Sequence, residues 1–239
     1  MSEEIFSRAR RRLIRSRAIT SAADSQWLLN RMAEELVDRL AFMTLDVRHA
    51  LVIGHGAHQL RPALPEAALI TRCDLVAAPG VDIVADEDRL PVADGRCDLI
   101  LACGTLDNLD DLPGALILIR RALRPGGLFL GSLMGAGSLS HLKTKVHQAE
   151  SQHSGQMALR FHPQIDVRSA GDLLFRAGFS TPVADQEDIS VSYSSLNRLR
   201  ADLRATGGSN ALSICRPLPR AIAHSLFSDL SSGPFEEVF

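Results

Sequence analysis

Apolar residues along the chain fall into two rhythms. Short apolar runs mark strands: HALVI from His49 to Ile53, LFLGSL from Leu128, and CDLILACG from Cys97 to Gly104, the last nearly continuous, as expected of a strand buried on both faces. Between the last two runs, Leu112, Ala115, Leu116, Ile119, Ala122 and Leu123 share one helical face behind Asp111, which can cap it. RPGG then stops that helix, with Pro125 breaking it and Gly126 or Gly127 free to take φ > 0. The stretch from Val84 to Gly131 therefore reads as strand, polar loop, strand, helix, tight turn and strand. This is a βαβ crossover of a parallel sheet, and function belongs at the carboxyl ends of its strands.

The flanks follow the same rules. Residues 26–41 form an amphipathic helix with Trp27, Leu28, Met32, Leu36, Val37 and Leu40 on one face. Ahead of it, residues 3–19 form a basic helix with Ile5, Phe6, Ala9, Leu13 and Ile14 as an apolar stripe among arginines, and Thr20 to Ser25 a linker. Ala68 to Cys73 is the second strand and VDIVAD the third. Beyond Gly131 come a helix from Ser138 to Glu150, a loop over 151–165, a helix from Asp166 to Ala177 stopped by Gly178, and a sixth strand around VADQEDISVSY. A helix ending at Gly207-Gly208, another from Pro219 to Leu230 and a closing strand FEEVF complete the chain. The division expected is an arm or lid over 1–45 and an α/β domain over 46–239.

Three positions offer ligand chemistry from the residues alone. Gly54-His55-Gly56 stands at a strand-to-helix turn, where glycines let the backbone approach a ligand. Asp74 ends the second strand, where an acid can accept hydrogen bonds from both hydroxyls of a ribose or can serve as a turn residue before Pro79-Gly80. Asp107 and Asn108 can bind a polar group or cap the helix that follows, with Asp110 and Asp111 the better caps. No catalytic residue is assigned.

Composition narrows the classes. A chain of 239 residues with 46% hydrophobic content suits one α/β domain with a small appendage. A net charge of −2 argues against nucleic acid as the main partner. No apolar run approaches the ~20 residues of a membrane span. Arg8, Arg10, Arg11, Arg12, Arg15 and Arg17 make the N-terminus basic, but Glu3 and Glu4 do not suit a transit peptide, so the cytoplasm is the expected location. The basic arm can face an anionic protein partner, cover a ligand, or pack as a solvated helix. Cys73, Cys97, Cys103 and Cys215 form no CxxC pair, and the first three, in or beside strands, read as small buried hydrophobes; His141, His147, His153 and His162 match no zinc spacing, so neither a metal nor redox chemistry is expected.

The acidic pair Asp86-Glu87, the LPV that follows, the strand to Ala102 and LRPGG together resemble the class I S-adenosylmethionine (SAM) methyltransferases. ADEDRLP, RAGFSTPVAD and DLRATGGSN resemble one branch of them: the methyltransferase-like mitochondrial complex I assembly factors and their bacterial relatives, near the malonyl-carrier-protein methyltransferase of biotin synthesis. The resemblance implies a three-layer Rossmann-like fold with a mostly parallel seven-stranded sheet and an N-terminal helical arm. It implies SAM as cofactor, S-adenosylhomocysteine as product, and a small molecule, carrier-bound acyl group or protein as substrate. It places Gly54, His55, Gly56 and Asp74 on the cofactor, Asp86 and Glu87 at the adenine, and Cys103 and Gly104 facing the methyl donor. The chain departs from the family at Val52, where an acid is usual, at His58, where the third glycine is usual, and at Asp107-Asn108, where a His-Trp pair is usual. Those departures also fit a relative that has become a non-methylating assembly or interaction factor.

Overall fold

A computed structural model describes residues 4–21, 26–154, 158–214, 216–230 and 233–239. Cys215, part of the Thr20–Ser25 linker and part of the 151–165 loop lie outside the described residues. The central sheet has five parallel strands: β1 (His49–Gly54), β2 (Leu69–Asp74), β3 (Ile83–Val84), β4 (Cys97–Cys103) and β5 (Leu123–Ser132). Their order is β3-β2-β1-β4-β5, so the chain reverses direction across the sheet between β1 and β4. That reversal opens a crevice at the carboxyl ends of these two strands.

Strand alternation divides the core into two layers. Ala50 and Val52 of β1 with Leu99 and Leu101 of β4 face α2 (Trp27–Leu40). Leu51 and Ile53 with Ile100 and Ala102 face α4 (Leu112–Ala122). All seven residues of β4 are buried, as its unbroken apolar run requires. Asp111 caps α4, its Oδ1 accepting from the Gly114 amide at 2.8 Å. Trp27 is a packing anchor: it meets Phe239 edge-on and donates to Asp202 Oδ2 at 2.9 Å.

The remaining elements are α1 (Arg8–Ile19), α3 (Ala57–Leu60), α5 (Ser140–Ser154), α6 (Val167–Arg176), β6 (Ser190–Tyr193), α7 (Leu196–Ala205), α8 (Arg220–Asp229) and β7 (Phe235–Val238). One expectation fails here. The described strands do not form one seven-stranded sheet, because β6 and β7 pair antiparallel in a separate two-stranded sheet. The reason lies in β7. Glu237, fully buried, accepts from the amides of His141 and Leu142 at 3.0 and 2.8 Å and so caps the start of α5. The Val238 carbonyl accepts from the Leu139 amide at 2.8 Å. These bonds hold β7 to α5 rather than to the outer edge of β5. A cavity of about 290 Å³ fills the space beside that edge, between α2, α6 and residues 183–189.

Candidate functional site

The glycine turn is built by steric need. Gly54 and Gly56 take φ of +81° and +111°, which only glycine adopts freely. A Cβ on Gly54 would stand 2.6 Å from the Cys103 carbonyl oxygen, so β1 and β4 approach closely at the crevice floor. The His55 amide donates to that same oxygen at 3.1 Å. Val52 is fully buried in the sheet, within the apolar layer that faces α2. His58 is exposed on the short α3 and does not enter the crevice.

His55 turns toward α2, its Nε2 lying 2.8 Å from Asn30 Oδ1. Burial pushes its pKa down to about 4, with Arg15 and Arg72 adding to the effect. The unfolded chain takes up this proton near pH 6.5 and the folded chain only near 4. Neutral His55 therefore contributes stability that is fully present above about pH 6.5 and lost as the pH falls through 4. Chemical denaturation across this window should show a slope that His55→Asn reduces.

The acids expected from the sequence converge. Asp74 ends β2, and Asp86 and Glu87 begin the turn after β3; all three are buried. The sequence did not anticipate what meets them. Arg15 of α1 clasps Asp74, its Nε donating at 3.0 and 3.1 Å to the two carboxylate oxygens and its Nη2 at 2.7 Å. Arg12 donates to Asp86 Oδ2 at 2.6 Å, and Arg8 lies 3.3 Å from the same oxygen. Arg11 donates to Glu87 Oε2 at 2.8 Å and to Asn108 Oδ1 at 2.7 Å. Arg8 donates to Asp88 and holds that carboxyl below its usual range. Burial pushes the Glu87 carboxyl up despite Arg11.

The inward face of α1 follows its apolar stripe only in part: Phe6 and Ile14 pack inward, but arginines rather than Ala9 and Leu13 complete that face. Arg11 and Arg15 are 3% and 7% exposed, whereas Leu13 is 51% exposed. Four acids opposite the helix outweigh the burial of one leucine, because an unpaired buried carboxylate costs several kcal/mol. The arm is also anchored at its start. Asp110 Oδ1 accepts from the amides of Ile5 and Phe6, and Phe6 bridges antiparallel to Leu212.

Two further expected residues sit at the crevice floor. Gly104 has φ of +69°, and Leu29 Cδ2 from α2 stands 2.4 Å from where its Cβ would be. Cys103 is fully buried, its Sγ directed to the Leu29 carbonyl at 3.8 Å, and burial pushes its thiol up to about 12. Its side chain is packing, and only its carbonyl borders the crevice.

On the other side of Gly104 lies a cavity of about 80 Å³ lined by Asp107, Asn108, Lys143, Arg160, His162 and Asn210 among others. His162 Nε2 accepts from the Ala211 amide at 2.9 Å, which puts the imidazole proton on Nδ1. Burial pushes Asp107 up and His162 down, each opposing the other's shift. Among the described residues, no three His, Cys, Asp or Glu side chains gather as a metal site requires.

The crevice can be tested directly for a nucleoside cofactor. Its chemistry suits one: Asp86 Oδ1 and Thr105 Oγ1 are buried without a hydrogen-bond partner, as acceptors awaiting a ligand would be. Its space does not. Beside Gly104, Thr105, Arg15 and Leu75 only about 20 Å³ remains, where ligands of this size need roughly 300 Å³ or more. Both oxygens of Asp74 are already taken. In this conformation the residues do not admit SAM.

The profile of the methyltransferase domain family matches residues 54–131, from the glycine turn to the end of the crossover. The mitochondrial arginine-hydroxylase NDUFAF5 of Mus musculus is 31% identical over 196 residues, covering 77% of this chain and 57% of that protein. A malonyl-[acyl-carrier protein] O-methyltransferase of Laribacter hongkongensis is 30% identical over 210 residues, covering 75% of this chain and 68% of that protein. The alignment with the mouse protein thus spans less than two thirds of that relative's length. Among solved structures, the YcgJ protein of Bacillus subtilis superposes with a TM-score of 0.55 at 13% identity, covering 87% of this chain and 94% of that one. The 1,6-didemethyltoxoflavin-N1-methyltransferase of Burkholderia thailandensis, with bound S-adenosylhomocysteine, gives a TM-score of 0.52 at 17% identity, covering 84% and 88%. At these identities the two structures speak for the fold.

Proposed function

Since the chain belongs to the SAM-dependent methyltransferase family, we propose that it is a methyltransferase whose cofactor crevice lies at the carboxyl ends of β1, β2 and β4 and is closed here by α1. Gly54, His55, Gly56, Asp74, Asp86, Glu87, Cys103 and Gly104 surround that crevice in this reading. The observation that supports it most is the convergence of Asp74 and Asp86 on one buried site. There, Asp86 Oδ1 and Thr105 Oγ1 make no hydrogen bond. The acceptor enters the cavity beyond Gly104, where Asp107, His162 and Arg160 would meet a polar group of a small molecule, a carrier-bound acyl group or a protein. Within the arm over 1–45 the cover is α1, whose outward basic residues can meet a protein partner, while α2 packs into the core of the sheet domain over 46–239. A cytoplasmic place belongs to the same reading. Among the described residues, no helix is long and apolar enough to cross a membrane.

A second reading has its own support. The Arg15–Asp74 clasp, the buried Val52 and the altered turn at His58 all suit a relative that has given up methyl transfer and acts in assembly or interaction. Calorimetric titration of the full chain with SAM and S-adenosylhomocysteine separates the two. The methyltransferase reading expects saturable binding that Asp74→Ala and Asp86→Ala abolish while the circular dichroism spectrum stays native. Unchanged titration curves in both variants would reject the site. A folded wild-type chain that binds neither ligand would favour the interaction reading.

A further inference from the structure

We infer that α1 is an internal competitor of the cofactor: its arginines hold the carboxylates that a nucleoside would engage, so the crevice fills only when the helix leaves. The inference rests on the placement of the crevice proposed above.

Three observations carry it. The first is chemical identity. Arg15 occupies both oxygens of Asp74, which leaves no acceptor for a pair of ribose hydroxyls. Arg12 and Arg8 share Asp86 Oδ2, while Oδ1 of the same carboxylate receives no hydrogen bond and has only Arg11 Nη1 nearby, at 3.8 Å. A guanidinium meets the acids at these points but leaves buried acceptors unfilled, as a substitute ligand would and an optimised core would not.

The second is charge. Arg8, Arg11, Arg12 and Arg15 face Asp74, Asp86, Glu87 and Asp88, so the cluster is neutral only while the helix is docked. The hydroxyls and amino group of a nucleoside can replace the hydrogen bonds but not the positive charges. Opening the helix therefore works against ligand affinity, and apparent affinity falls by the fraction of molecules in the open state.

The third is attachment. The helix is fixed in two places that do not involve the acids. Its start is pinned by Phe6 against Leu212 and by the amide bonds to Asp110. Its middle is tied by Arg11 to Asn108, on the loop between the crevice and the acceptor cavity. The arm thus reports on both sides of Gly104, and release at Asn108 would couple the acceptor side to entry of the cofactor.

The bridge at Phe6 gives a direct test. Ser7 donates to the Ala211 carbonyl and Ser213 to the Ile5 carbonyl, so Phe6 and Leu212 form a non-hydrogen-bonded pair. Such pairs have Cα atoms about 4.5 Å apart, within the range a disulfide spans. The staple is Phe6→Cys with Leu212→Cys in a Cys215→Ser background, since Cys73, Cys97 and Cys103 are buried.

S-adenosylhomocysteine is titrated calorimetrically into the full chain, the reduced and oxidised staple, Arg15→Met and Arg12→Ala. Arg12 is half-exposed, so its loss spares the fold if Arg15→Met does not. Competition predicts a dissociation constant about tenfold lower than wild type in Arg15→Met, lower by a smaller factor in Arg12→Ala, and about tenfold higher in the oxidised than in the reduced staple. Equal or weaker binding in the arginine variants, or an oxidised staple that binds as tightly as the reduced one, would overturn the competitor and make α1 a lid that helps to bind. No binding in any folded variant would overturn the crevice itself, and the inference with it.

Discussion

Arg15→Ala is expected to lower the free energy of unfolding by about 3–5 kcal/mol, because it strands the Asp74 carboxylate in a buried site. Both side chains are under a tenth exposed, and Asp74 is bound by Arg15 through both oxygens. The loss belongs to the uncompensated charge rather than to the pair. Asp74→Asn added to Arg15→Ala should therefore recover most of it. Urea unfolding of the two single variants and the double variant measures this as a cycle. A loss under about 1 kcal/mol would mean that water reaches Asp74 and that the clasp is an ordinary surface pair.

Gly54→Ala should cost about 3–4 kcal/mol, and for steric reasons alone. A residue with a side chain is strained at φ of +81°, and its Cβ would stand 2.3 Å from Thr105 Cγ2 and 2.6 Å from the Cys103 carbonyl oxygen. The methyl can turn away, but the backbone oxygen is fixed by the pairing of β1 with β4. Thr105→Ser should thus restore only part of the stability lost in Gly54→Ala. Full rescue in thermal unfolding would show that the two strands can separate at the crevice floor.

The strands of the crossover were legible as short apolar runs, although β5, at the sheet edge, is mostly half-buried. The unbroken CDLILAC became the fully buried β4. Asp111 announced its helix because a cap is a local bond, closed by Gly114 three residues on. The places of Asp74, Asp86 and Gly54 at or just after the carboxyl ends of strands could be read, and a parallel sheet offers such places to ligands.

The closure of the crevice could not be read in this way. Arg8, Arg11, Arg12 and Arg15 recur at the spacing of one helical face, and that was the available signal. An arginine face reads as solvated unless its partners are known, and these partners lie 59 to 97 residues away. Of the apolar stripe, Ile14 packs inward with Phe6, whereas Ala9 and Leu13 face outward and gave a misleading signal. The separation of β6 and β7 was hidden for the same reason. Glu237 looks like a strand residue until its carboxylate is seen to cap a helix through the amide of His141, 96 residues earlier.

Hydrogen exchange of the α1 amides, residues 8–19, with and without saturating S-adenosylhomocysteine, tests the central claim most directly. If the helix and the cofactor compete for Asp74 and Asp86, ligand should lower the protection of these amides while raising that of β1 and the Gly54 turn. Rising protection across α1 together with the turn would show that the helix closes over the ligand instead, and would contradict the account.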